Sequence, residues 1–266
     1  MSKVSAAGVE FREMDELAAQ ESAIHALHPL IKLLVTLAYI LVVVSFPKYA
    51  LSGLSVMVLY PILIFQASGI PVRTCFHKLR VVMPLVCAVG LLNPFFDRVP
   101  LLYLGNLAVS GGVISMITLM LKGIFSLMAS FLLVATTKMD ALCAALRKLH
   151  IPSVLVTLLL LTYRYIAVMI EEISIMTDAY HLRAPGQKGI HISAWGSFLG
   201  QLLLRSMDRA DELYQSMQLR GFCGNFYYAD SAPCTLGAAM YGVLWVGAFL
   251  LARCFDLPLL LGNLFL

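Results

Sequence analysis

The sequence feature that most restricts the folds open to this chain is its series of apolar segments, each of about membrane-spanning length. A helix needs roughly 20 mainly apolar residues to cross the hydrocarbon core of a bilayer, and a charge inside such a segment is costly. Because these segments follow one another with short polar turns between them, they predict an all-α integral membrane protein with about five to six transmembrane helices. The candidate spans are residues 30–46, 49–70, 81–96, 111–135, 153–170 and 234–251.

Charged residues are few and lie mostly between these segments. Only 13% of the chain is Asp, Glu, Lys or Arg, whereas a soluble domain has about a quarter. The 19 Lys and Arg residues flank apolar runs and form no basic tail, so we expect a lipid bilayer as a partner and no nucleic acid. The six cysteines include no tightly spaced pair, so neither a zinc site nor a disulfide framework is predicted.

Prolines occur within two of the spans. The second span contains Pro61 and Gly53, which are tolerated there because neighbouring helices can satisfy the backbone groups that they free. Pro84 and the Asn93-Pro94 pair predict a broken or tilted third span. Residues 97–110, which follow it, are predicted to be a turn region.

Two lysines lie within the apolar segments. Lys32 stands at the start of the first span, where its amine can snorkel to the membrane interface. Lys122 lies inside the fourth span and is expected to face protein or to snorkel.

The distribution of basic residues predicts the orientation. If the N-terminus is cytosolic, four spans return the chain to the cytosol. The basic stretches at residues 71–80, 137–152 and 171–230 then all lie inside, and the outer loops carry only Lys48 and Arg98. This arrangement follows the positive-inside rule.

Residues 153–170 are apolar enough to cross, but Arg164 in their middle would cost roughly 2.5–3.5 kcal/mol at the bilayer centre. We therefore expect residues 138–222 to be cytosolic helices at the membrane interface, although a crossing by residues 153–170 stays open. Thr137 and Asp140 have the spacing of a capping box that opens this region. Residues 193–219 carry an apolar stripe at helical spacing, formed by Leu199, Leu203, Met207, Ala210, Tyr214 and Met217.

One short phrase occurs twice in this polar region. Residues 179–184 read AYHLRA and residues 216–221 read SMQLRG, so both follow the order small, two residues, Leu, Arg, small. Each copy ends a long helical pattern. An arginine near a helix C-terminus needs no partner, because its charge already interacts favourably with the helix dipole. The repetition of the phrase instead indicates that Arg183 and Arg220 are two equivalent contact residues for a partner. The guanidinium fork suits a carboxylate in a partner's groove.

Other functional classes find little support in the residues. The chain has no P-loop, dinucleotide fingerprint, H-E-x-x-H motif or nucleophile elbow, so it is not itself an ATPase. A membrane-embedded enzyme lacks a cluster of catalytic groups, and a secondary carrier lacks acidic residues inside the spans. His25 and His28 are spaced to allow metal binding, but we expect a solvated pair beside the first span. No catalytic, cofactor or metal site is predicted.

Four segments of the chain match a pattern known from one family. They are residues 28–34 (HPLIKLL), 144–152 (AALRKLHIP), 161–165 (LTYRY) and the two arginine phrases. With these motifs the chain resembles the transmembrane (T) component of energy-coupling factor importers, and within that family the CbiQ-type subunit of cobalt transporters. The resemblance covers nearly the whole chain.

This resemblance implies a non-catalytic subunit of an ATP-driven importer in a prokaryotic inner membrane, with the N-terminus in the cytosol. Two Ala-Arg-Gly-like motifs would dock on two ATP-binding cassette ATPase subunits. The other helices would hold a substrate-binding membrane (S) subunit, with or without a small accessory membrane subunit. Carried onto this sequence, the motifs are Ala179, Arg183 and Ala184, then Ser216, Arg220 and Gly221. Ala184 replaces a glycine and Ser216 replaces an alanine, so both positions stay small.

Cobalt is the substrate that the resemblance favours, with nickel next and a vitamin as a further alternative. The expected organisation has three parts. Residues 1–136 hold a cytosolic segment and four spans, residues 137–230 hold the coupling helices, and residues 231–266 hold a last span and tail.

Overall fold

The computed structural model describes residues 3–96, 100–104, 107–187, 189–224 and 236–254. Across these ranges the chain is helical apart from one hairpin, so the predicted all-α class is confirmed. The helices are α1 (Lys3–Ala18), α2 (Pro29–Ser45), α3 (Leu51–Val56), α4 (Leu59–Ser68), α5 (Val72–Leu79), α6 (Met83–Phe96), α7 (Gly111–Thr136), α8 (Met139–Lys148), α9 (Ser153–Arg183), α10 (Ile192–Leu219) and α11 (Leu236–Cys254).

The hairpin lies where a turn region was predicted. Strands β1 (Pro100–Leu104) and β2 (Leu107–Ser110) pair in antiparallel register, with Leu104 opposite Leu107. The basic stretch at residues 71–80 is mostly helical, since Val72–Leu79 forms α5.

Within the described ranges, four helical segments are long and apolar enough to cross a membrane: Leu51–Ser68, which joins α3 and α4, and the single helices α7, α9 and α11. A fifth arises if α5 and the first part of α6 form one bent span, and their axes differ by 65°. The bend falls at residues 80–82, whereas α6 runs without a break through Pro84 and Pro94. The break that these prolines predicted within residues 81–96 is therefore not observed there. The apolar helix α2 has only 17 residues, about 26 Å at 1.5 Å per residue.

Two compact units make up the chain. We call residues 17–138 and 230–266 the apolar unit, and residues 1–16 and 139–229 the arginine unit, since the latter holds both arginine phrases. Helix α1 belongs to the arginine unit except for its last two residues, whereas the sequence pattern grouped it with the first four spans.

In the apolar unit, Tyr39 compensates for the proline in the second span. Pro61 has no N–H for the carbonyl of Met57 four residues earlier, and the helix is broken there between α3 and α4. The hydroxyl of Tyr39 donates to this Met57 carbonyl at 2.9 Å, and the Tyr39 side chain is fully buried against Tyr60 and Phe249. The prediction that a neighbouring helix satisfies the freed group is confirmed.

Replacing Tyr39 by Phe is expected to lower the free energy of unfolding by about 1–3 kcal/mol, because it leaves a buried carbonyl without a donor while keeping the ring. Thermal unfolding of the detergent-solubilised chain measures this. Tyr214→Phe is the matched control, since Tyr214 is 55% exposed, and it should leave the melting temperature unchanged. Equal melting temperatures for the two variants would show that the Met57 carbonyl does not depend on Tyr39.

Cations cap the C-terminal end of α2. The Lys122 amine donates to the carbonyl of Val44 at 3.1 Å and also to that of Phe46, and Arg253 donates to the carbonyl of Ser45 at 3.3 Å. These are carbonyls that a helix end leaves without an intrahelical partner. Lys122 thus faces protein, as predicted, and the short helix α2 ends against cationic side chains.

The arginine unit packs around α9. Helix α8 contacts it through a small core of Cys143, Val156 and Leu160. On α1, Phe11 packs against the Tyr163 ring with 4.8 Å between centroids and a tilt of 41° between the ring planes, and the Tyr163 hydroxyl donates to Asp15 at 2.5 Å. The capping box predicted at the start of α8 is wrong, because the Thr137 hydroxyl is buried without a hydrogen-bond partner among the described residues.

Candidate docking site at two helix ends

The first arginine phrase forms the last turn of α9. Arg183 is the final helical residue, and both Ala179 and Arg183 are exposed. Ala184 caps the helix with φ −126°, and its N–H donates to the carbonyl of Tyr180 at 3.0 Å. The left-handed residue of this turn comes later, at Gly186 with φ 91°.

The second phrase ends α10 differently. Arg220 is the cap residue, and Gly221 follows with φ 80°. The N–H of Phe222 donates to the Met217 carbonyl at 3.0 Å, and that of Gly221 donates to the Gln218 carbonyl at 2.9 Å. This pair of bonds is a Schellman motif, which requires a left-handed residue where Gly221 stands.

These two geometries explain the departure at Ala184. An alanine is unstrained at negative φ, so the first phrase needs no glycine at its last position, while the second phrase does. The two phrases therefore match in sequence and in exposure of the arginine, but they reverse the chain by different turns.

Gly221→Ala is expected to destabilise the end of α10 by about 1–2 kcal/mol, the cost of a left-handed alanine. Hydrogen exchange at the amides of Gly221 and Phe222 should then become about 5- to 30-fold faster. Gly200→Ala is the control, because Gly200 lies inside α10 with open space around it and alanine favours a helix there. Unchanged exchange in the Gly221 variant would contradict the Schellman assignment.

Both phrases place an exposed leucine beside an exposed arginine. Leu182 is 84% exposed and Leu219 is 89% exposed, which are among the highest exposed fractions of the large apolar side chains that the structure describes. Among the residues that the structure describes, none pairs with the guanidinium of Arg183 or Arg220. Each helix end therefore presents an uncovered apolar group next to an uncompensated cation. Sequence analysis did not identify these two leucines as site residues. They belong to the repeated phrase, but the sequence alone does not show whether a leucine is exposed or buried in a core.

Contacts between α9 and α10 hold the two helices in one arrangement. Arg205 on α10 forms an ion pair with Glu172 on α9. At the connection, the Tyr180 hydroxyl donates to Gln187 at 2.8 Å and accepts from the N–H of His191 at 3.3 Å. His191 in turn caps the start of α10. Tyr180 lies within the first arginine phrase, so that phrase is tied to the turn that leads into α10.

The predicted apolar stripe of α10 lacks cover within the described part of the chain. No residue of α10 is buried, and Leu199, Leu203, Met207 and Tyr214 are each more than half exposed. The same helix carries charged residues around a groove shared with α9, lined by Met169, Glu172, Arg205, Asp208, Arg209 and Glu212.

The two histidines weighed as metal ligands have structural partners instead. The Nδ1 atom of His28 accepts from the N–H of Leu30 at 3.2 Å and so caps α2. His28 is only 5% exposed, which corrects the expectation of a solvated pair. His25 bonds to the Ser22 hydroxyl at 2.7 Å and to the Leu17 carbonyl at 3.1 Å. The described residues gather no group of three or more His, Cys, Asp or Glu that could hold a metal ion.

Curated relatives of this chain include transport proteins. It is 31% identical over 91 residues to a nickel permease, LarQ, of Lactiplantibacillus plantarum, covering 34% of this chain and 33% of the relative. It is 28% identical over 123 residues to the cobalt transport protein CbiQ of Rhodobacter capsulatus, covering 45% and 50%. An uncharacterized protein of Methanocaldococcus jannaschii is 27% identical over 116 residues, covering 42% and 39%. The chain thus spans a third to a half of the length of these relatives.

The family comparison covers much more of the chain. The model of the cobalt transport protein family CbiQ matches residues 20–228, which include the first helices of the apolar unit and both arginine phrases. This match shows that the chain belongs to the CbiQ cobalt transport protein family, and several apolar helices of spanning length are consistent with a multi-pass membrane protein.

Proposed function

We propose that this chain is the transmembrane coupling subunit of an ATP-driven importer of the energy-coupling factor type. In this role it binds two ATP-binding cassette ATPase subunits and a substrate-binding membrane subunit. It transmits the movement of the ATPase subunits to the substrate-binding subunit. The observation that carries the proposal is the pair of helix ends in which an exposed leucine stands beside an exposed arginine that has no ion-pair partner among the described residues.

Such a helix end suits a groove that has an apolar floor and an acidic rim. Burying a leucine contributes about 1.5–3 kcal/mol, and a guanidinium that meets a carboxylate forms short, charge-assisted hydrogen bonds in fixed geometry. Two separate ends match two copies of such a groove. The small residues Ala179 and Ser216, one turn before each arginine, leave room for the partner's backbone.

The charge pattern supports a cytosolic position for this site. With the N-terminus inside, both phrases and most basic residues lie on the cytosolic face, where ATP is hydrolysed. In this proposal α9 lies at the membrane interface although its length and composition would allow a crossing, because Arg164 is exposed in the middle of its apolar part. The exposed stripe of α10 is then available to membrane or to the substrate-binding subunit.

Cobalt is the substrate that we propose, with nickel as the alternative. The two named relatives are a cobalt transport protein and a nickel permease, and the metal is cargo of the complex, bound on another subunit. Competition between labelled Co²⁺ and unlabelled Ni²⁺ during uptake by the intact complex distinguishes the two.

Purification of the tagged chain from its native membrane tests the proposal. Recovery of two ATPase subunits per chain, together with uptake that requires ATP hydrolysis, is the expected result. A monodisperse chain that transports a substrate without any ATPase would contradict it and would favour a secondary carrier.

A further inference from the structure

The motif at residues 28–34 has no part in the docking site, yet it builds a buried hydrogen-bonded cluster in the apolar unit. Lys32 is 6% exposed, and its amine donates to the Thr136 carbonyl at 2.7 Å and to the His25 carbonyl at 3.4 Å. The described residues place no carboxylate on this amine. The expectation that Lys32 snorkels to the interface is therefore wrong, since the side chain points into protein.

Thr136 is the last residue of α7, so its carbonyl is one of those that the helix leaves without a partner. Three residues later, at Met139, the chain enters α8, and the border between the two compact units falls between residues 138 and 139. Lys32 thus binds the last carbonyl of α7, close to the point where the chain leaves the apolar unit.

The same cluster reaches a second border residue. The Nε2 atom of His25 donates to the Leu17 carbonyl at 3.1 Å, and Leu17 is the first residue of the apolar unit after the border at residue 16. The path from Leu17 through His25 and Lys32 to Thr136 therefore joins two of the places where the chain passes between the units. We call these four residues the junction clamp.

Burial of an ammonium group without an acidic partner costs several kcal/mol unless its donors are satisfied. If this side chain only filled space, a Leu or Met of similar volume would stabilise the fold more, because it would avoid the cost of burying a charge. The carbonyls of His25 and Thr136 give the amine two acceptors, and a cation at a helix C-terminus is electrostatically favourable. The cation is thus suited to hold two chain segments together, which an apolar side chain does not do.

We propose that Lys32 is a positioning residue that holds the apolar-unit ends of two of the connections to the arginine unit, those at residues 16–17 and 138–139, so that motion of that unit is passed to α2 and α7. This role rests on the proposed function, in which α9 and α10 receive the movement of the ATPase subunits. Without the clamp, the last turn of α7 and the segment from Leu17 to His25 absorb the movement by local opening.

Three variants in the intact complex test the clamp. Lys32→Met removes the cation at similar volume, Lys32→Arg keeps a cation with several donors, and Lys138→Met removes an exposed lysine at the same junction. Hydrogen exchange should become at least tenfold faster in both residues 17–25 and residues 132–138 for Lys32→Met, and Lys32→Arg should restore much of the protection. Metal ions transported per ATP hydrolysed should fall by at least tenfold for Lys32→Met while ATPase subunits remain bound.

Several results would overturn the clamp. Transport per ATP at the wild-type level in Lys32→Met would do so, as would equal impairment of the Met and Arg variants, which would indicate packing alone. If Lys32→Met aggregates, Lys32→Gln is measured in its place, and aggregation of both variants while Lys32→Arg is normal would show that the lysine serves folding and not coupling. If the wild-type chain binds no ATPase, the proposed function fails, but exchange at the two segments still decides whether the clamp exists.

Discussion

Reversing both phrase arginines, Arg183→Glu together with Arg220→Glu, is expected to abolish recovery of ATPase subunits with the tagged chain. Both side chains are exposed and unpaired among the described residues, so their loss removes no contact within the chain and the membrane subunit should still fold. In the complex, each glutamate would face the carboxylate that the guanidinium is proposed to meet. Like charges at close range replace an attraction by a repulsion, which costs several kcal/mol per site.

The single variants separate docking from coupling. With one phrase intact, one ATPase subunit should stay bound, and uptake should be lost because only one helix end follows the movement. Uptake of metal ions into proteoliposomes and the ATPase-to-chain ratio on size exclusion measure the two effects. Arg209→Glu is the control, because Arg209 is exposed on α10 outside both phrases. Full uptake and a normal subunit ratio in the double variant would refute the docking role.

Long helices were predictable to within a residue or two. The apolar and periodic runs at residues 111–135 and 193–219 became α7 and α10 with nearly the same bounds, because a strong local period leaves few alternatives. Breaks within spans were less predictable. The sequence contained Pro61, but the donor that replaces its missing bond is Tyr39, on another helix. Likewise, the hairpin at residues 100–110 depends on pairing across a turn and gave no periodic signal.

The candidate site shows the same limit. Repetition alone pointed to Arg183 and Arg220, and the structure places each at a helix end. The turns at Ala184 and Gly221 differ because the residue with positive φ stands at a different position. After the first phrase this residue is Gly186, two positions beyond Ala184, whereas in the second phrase it is Gly221 itself. Lys32 was misjudged because a lysine at the edge of an apolar run usually reaches water, whereas here two backbone carbonyls lie within its reach.

Leu182 and Leu219 are expected to contribute as much to docking as the arginines that follow them. Each is more than four-fifths exposed, so truncation to Ala removes almost no packing within the chain and should leave its melting temperature unchanged. If each leucine is buried in an ATPase groove, its loss costs about 1.5–3 kcal/mol, a roughly 10- to 150-fold weaker affinity for that subunit. The effect should appear mainly as faster dissociation.

Binding kinetics of purified ATPase subunits to the immobilised chain measure this prediction. Leu203→Ala is the matched control, since Leu203 is 61% exposed on α10 but lies outside both phrases. Because the leucine contact is apolar, the loss in Leu182→Ala and Leu219→Ala should persist at high salt, whereas the contribution of the arginines should weaken as salt screens it. Wild-type dissociation rates in both leucine variants would restrict the docking site to the guanidinium groups, and slower transport in Leu203→Ala with normal ATPase binding would assign the stripe of α10 to a different partner.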